Sequence, residues 1–126
     1  MTGLSPEAPG DPAEDAHRWR RKFEDRTIVV QRVRNLPQAE AERVAYDIVV
    51  VDFLNATHPD TDPNRCACCG RAETPSNILL PIGVGARHAW LHDDCWALWR
   101  AGRRKAAVGA LASMGIVEPS KDEALR

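Results

Sequence analysis

Cys66 and Cys69 in "CACCG" are followed, after 22 intervening residues, by His92 and Cys95 in "WLHDDCW". Two residues between paired donors let a tight turn, or a single turn of helix, aim both side chains at one point. Three thiols and an imidazole paired in this way suit a tetrahedral zinc ion, and a chain carrying them must fold so that two distant stretches meet. A single cysteine is most often a small buried apolar residue. Two matched pairs in a short chain argue against that reading, and histidine ligation makes an iron–sulfur cluster a poorer fit.

The chain has 126 residues, 44% hydrophobic and 28% charged, which allows one modest domain or two very small ones. No run approaches the roughly 18 apolar residues that span a bilayer. The amino-terminal "MTGLSPEAPGDPAEDA" lacks the basic flank and apolar core of a signal peptide. A cytoplasmic protein is therefore expected, where reduced thiols favour metal ligation over disulfides. Net charge is −1, but charge lies in blocks: residues 17 to 35 carry seven bases and two acids, residues 36 to 64 one base and six acids. Such blocks suggest either segments that dock on one another or a basic face left for a partner.

Residues 1–15, rich in Pro, Gly and acids, read as a disordered tail, and 116–126 as a second tail. A helical pair is expected over 16–58. Its first helix carries Trp19, Phe23, Arg26 and Val30 at helical spacing, with a frayed or extended last third; the β-branched "RTIVVQRVR" also permits a strand. The second runs from Pro37 to Asn55 and is apolar almost all round from Tyr46 onward, which marks it as the buried helix. The "HPD" tripeptide at His58–Asp60 is a helix-ending turn, and "DTDPNR" a polar linker. Ile78–Ile82 and Arg87–Leu91 form a hairpin around Gly83 and Gly85, with Pro81 marking an edge strand. A last helix starts at Asp93 and stops before Gly115.

The order knuckle, hairpin, helix, with Gly70 after Cys69 and with His92 and Cys95 at the helix start, resembles the treble-clef zinc fingers over residues 64–115. The resemblance implies an α+β fold, an N-terminal helical pair plus a treble-clef module, with Cys66, Cys69, His92 and Cys95 as zinc ligands. The run "WLHDDCWALW" is also similar, more loosely, to the carboxy-terminal stretch of small uncharacterised bacterial zinc-binding proteins encoded near replication or mobile-element genes. Two alternative ligands stay open: Cys68 in place of Cys69, and His88 in place of His92. Cys95 at a helix start should lose its proton readily. Arg71 and Arg87 are candidates to offset the −1 charge of zinc with three thiolates.

Four protein ligands leave no position for water, so the zinc is expected to be structural and the chain no enzyme. A deaminase would need HxE and PCxxC, neither of which is present. Walker, dinucleotide-binding and serine-nucleophile motifs are also missing. The function expected is a nucleic-acid-binding accessory or regulatory module that contacts DNA or RNA through Arg100, Arg103, Arg104 and Lys105, helped by the basic run Arg18–Lys22. Trp96 and Trp99 are expected in the core. The alternative is a protein–protein interaction adaptor; a metal-dependent nuclease is the weaker third reading. No small-molecule substrate is inferred.

Overall fold

A computed structural model describes residues 12–119; of the expected tails 1–15 and 116–126, residues 1–11 and 120–126 lie outside the described residues. The fold is α+β. It runs α1 (Pro12–Arg34), α2 (Gln38–Ala56), β1 (Leu79–Val84), β2 (Arg87–His92), a single 3₁₀ turn over Asp93–Cys95, and α3 (Trp96–Ser113). Two compact units divide the chain: one comprises residues up to Val49 with those from Ala110 onward, the other Val50–Gly109. The dividing points fall inside α2 and α3, whereas the sequence reading placed a boundary in the linker near residues 59–63.

In the first unit α1 begins at Pro12, four residues earlier than expected, and stays helical to Arg34. The β-branched run does not open into a strand. Burying Thr27 and Val30 while leaving Ile28, Val29 and Val33 exposed gives that run a helical stripe, and a weak strand propensity yields to it. Thr27 extends the face of Trp19 and Phe23, where Arg26, exposed, had been expected. Asn35, at φ +53°, closes the helix in the left-handed conformation that asparagine tolerates. Ala41, Ala45, Tyr46 and Val49 are the buried face of α2 in this unit.

The carboxy-terminal end of α3 carries a complete cap. Ile116 N–H donates to Leu111 O (2.9 Å) and Gly115 N–H to Ala112 O (3.0 Å), the paired bonds of a Schellman motif. Gly115 supplies the required φ of +90°. Leu111 and Ile116 are both buried, as the motif's apolar contact requires. Arg20 of α1 donates to a further carbonyl, Met114 O, at 2.8 Å.

The second unit is built on the β1–β2 hairpin, antiparallel, with Leu79 opposite His92 and Val84 opposite Arg87. The hairpin extends two residues beyond the expected turn. Gly83 lies within β1, opposite His88, and only Gly85 and Ala86 form the loop. A Cβ on Gly83 would stand 2.5 Å from the His88 ring, so that ring's close approach accounts for the glycine.

The polar linker does more than connect. Thr61 N–H donates to His88 O (2.9 Å) and Ala67 N–H to Trp90 O (2.8 Å), while Asp60 and Thr61 side chains accept from His88 N–H (3.2 Å) and Trp90 N–H (2.9 Å). These bonds cover the outer edge of β2, which would otherwise offer unpaired amides to another strand. Pro81 stands opposite Trp90, so its nitrogen faces away from β2 where no ladder bond is lost. Cys66, Leu79, Ala89 and Leu91 form the core of this unit, with Trp90, Trp96 and Trp99 half-buried against them. The two α3 tryptophans, expected in the core, pack against it from a half-buried position.

Candidate metal centre

Backbone geometry brings the two donor pairs together. Gly70, at φ +77°, turns the chain after Cys69. Gly70 N–H then donates to Cys66 O (2.8 Å) and Cys66 N–H to Arg71 O (2.9 Å), which closes the knuckle. His92 ends β2 and Cys95 lies in the 3₁₀ turn that leads into α3, so the hairpin register delivers the second pair.

The donor atoms of Cys66, Cys69, His92 and Cys95 all lie within 4.8 Å of one another. Around a tetrahedral zinc, two sulfurs stand about 3.8 Å apart and a sulfur and nitrogen about 3.6 Å apart, from bond lengths near 2.3 and 2.05 Å. His92 Nδ1 is 3.4 Å from Cys69 Sγ and 4.0 Å from Cys95 Sγ, on either side of that value. The cluster can hold one metal ion.

Polar groups around the cluster prepare it for a cation. His92 Nε2 lies 3.1 Å from Ala72 O. A carbonyl only accepts, so Nε2 carries the proton and Nδ1 presents its lone pair to the sulfurs. Cys68 N–H donates to Cys66 Sγ at 3.4 Å. Burial raises the pKa of Cys66, but the amides of Cys69, His92 and Cys68, with the Cys69 thiol, outweigh it and hold it down to about 6. Cys95 moves the other way, to about 12, through burial and then through the sulfurs of Cys66 and Cys69. The helix-start depression expected for Cys95 is thus overridden by burial and by its neighbours. Three sulfurs so close cannot all carry charge without a cation among them.

Both alternative ligands fall outside the cluster. Cys68 is half-buried against the apolar core, and His88 lies across Gly83 on the hairpin. Arg87 does not offset the cluster's charge; it donates to Asn55 O (3.3 Å) and Ala56 O (3.5 Å), at the end of α2. Arg71 is exposed.

The four basic residues of α3 separate into two kinds. Arg100, Arg104 and Lys105 are exposed. Arg103 is half-buried, and its guanidinium donates to Leu54 O (3.3 Å), Thr57 O (3.2 Å) and Thr57 Oγ1 (3.0 Å), while lying over the Trp99 ring. Burial lowers its pKa. His58, read from sequence only as part of a helix-ending turn, is buried: its Nε2–H donates to Ile82 O (2.9 Å) and its Nδ1 faces Arg103 at 3.5 Å. The sequence offered no signal for this role, because the partners of His58 lie 24 and 45 residues away.

Among the described residues, no helix is long and apolar enough to cross a membrane. Comparison with known protein families, with curated proteins and with solved structures finds no match to this chain.

Proposed function

We propose that this chain is a zinc-stapled module of treble-clef type, working in the reducing cytoplasm as a nucleic-acid-binding accessory rather than as an enzyme. The observation that carries the metal half of this reading is the donor set: three sulfurs and one oriented imidazole nitrogen within 4.8 Å of one another. That set suits zinc above harder cations, and four protein donors fill its tetrahedron, so water has no place to be activated. Knuckle, hairpin and helix start supply the ligands in treble-clef order.

Support for the nucleic-acid half comes from α3, which carries Arg100, Arg103, Arg104 and Lys105 and no carboxylate along its 18 residues. Since Arg103 serves the end of α2, the phosphate-facing residues are Arg100, Arg104 and Lys105. The first test is a salt series on binding of duplex and single-stranded oligonucleotides to the metal-loaded chain. Each phosphate contact contributes about 0.9 to the slope of log affinity against log salt on duplex DNA. Changing Arg104→Glu and Lys105→Glu together is expected to flatten that slope by about two contacts and weaken binding on every sequence alike. Affinity that ignores both salt and these charges overturns the nucleic-acid reading while leaving the metal reading in place.

A further inference from the structure

A cleft of about 240 Å³ opens in the Val50–Gly109 unit between the end of α2, strand β1 and the start of α3. Val51, Leu54, Ile82 and the half-buried rings of Trp96 and Trp99 form its apolar walls. Arg100 stands at Trp96, its guanidinium carbon 6.0 Å from the ring centroid, and Arg103 at Trp99 at 5.3 Å. No Asp or Glu lines the cleft, and neither arginine is in an ion pair among the described residues.

Size and charge together select an occupant. An apolar cavity of about 150 Å³ holds a benzene ring, so this cleft admits one aromatic side chain with a little room beside it. Arg103 is engaged with the carbonyls ending α2 and braces the wall. Arg100 is exposed and so is able to meet an anion at the rim. Val51, 52% exposed, carries the apolar wall out to the surface. A small, half-open cleft buries too little of a free small molecule for firm binding, whereas a polypeptide adds contacts outside it.

We propose that this cleft receives one aromatic side chain of an acidic partner polypeptide, the ring seated against Leu54, Ile82 and Trp96 and a neighbouring carboxylate paired with Arg100. No metal-cluster residue lines this surface, but it shares Arg100 with the phosphate-facing set proposed above, so nucleic acid and the acidic partner would compete for that side chain. It gives the two tryptophans a second use beyond packing. Aromatic anchors in desolvated pockets carry most of the energy of such contacts, and rim charges select the partner.

The test uses the full, metal-loaded chain labelled with ¹⁵N and three capped hexapeptides: one phenylalanine among aspartates, the same among lysines, and the aspartate peptide with alanine replacing phenylalanine. The aspartate–phenylalanine peptide is expected to shift the indole N–H resonances of Trp96 and Trp99 saturably. The alanine peptide should leave them in place, and the lysine peptide should bind about five- to tenfold more weakly. Arg100→Glu is expected to reverse the preference between acidic and basic peptides, and Val51→Glu, at an exposed position that leaves folding intact, to remove binding. Equal binding of acidic and basic peptides, or no saturation at millimolar peptide, overturns the proposal. So does phenylacetate binding as tightly as the peptide, which would make the cleft a small-molecule pocket. An oligonucleotide that moves the same two indoles where the peptide does not would overturn it in favour of nucleic acid.

Discussion

Cys68 and Cys69 are chemically identical neighbours, and only the knuckle's geometry separates them. Cys69 Sγ faces His92 Nδ1, while Cys68 contributes its backbone N–H to Cys66 Sγ. Cys69→Ser should therefore lower metal affinity about 100-fold or more, as loss of a direct zinc ligand does, and Cys68→Ser should leave stoichiometry and affinity unchanged. Competition with a chromophoric chelator measures both; equal losses would mean that the knuckle shares its ligand role between the two thiols. The ligand spacing made this cluster legible from sequence, because two short pairs fix local geometry before any tertiary contact is known. The direction of the Cys95 shift was not legible. It depends on burial and on Cys66 and Cys69 arriving beside it, which only the fold decides.

At the scale of elements, α2 ends without a glycine cap and without a basic residue in its last turn. Its final carbonyls are met from elsewhere. Arg87 takes those of Asn55 and Ala56, Arg103 takes those of Leu54 and Thr57, and Thr57 Oγ1–H donates to Phe53 O. Two cations at a helix's negative end also oppose its dipole. Arg103→Met should cost about 1.5–3 kcal/mol in denaturant unfolding of the metal-loaded chain, since hydrogen bonds from a charged donor are lost and carbonyls are left unmet. Arg103→Lys should restore little, because one ammonium cannot reproduce a planar fork that reaches several acceptors. An unfolding midpoint unchanged in Arg103→Met would return Arg103 to the surface set. Sequence reasoning placed the three helices and the hairpin to within a few residues, from apolar periodicity, Pro37, Gly85 and Gly115. It did not foresee that Arg103 meets the end of α2, because a basic helix face looks alike whether its partner is solvent, phosphate or a helix end 46 residues away.

For the whole molecule, the hydrophobic cluster around the hairpin in the Val50–Gly109 unit has four buried residues, one of them the donor Cys66. So small a cluster rarely holds a fold by itself, and a bound metal would join the knuckle to the helix start across the hairpin. Structural zinc contributes apparent free energies of roughly 10 kcal/mol or more, so folding and metal loading should be one event in this unit. The most direct measurement is metal content of the purified chain by mass spectrometry, paired with circular dichroism and ¹⁵N spectra before and after chelation. One zinc per chain, with the hairpin and Trp96 and Trp99 signals collapsing on chelation and returning on zinc addition, is the predicted result. A chain that carries no metal, or one whose spectra are unchanged when the metal is removed, contradicts it.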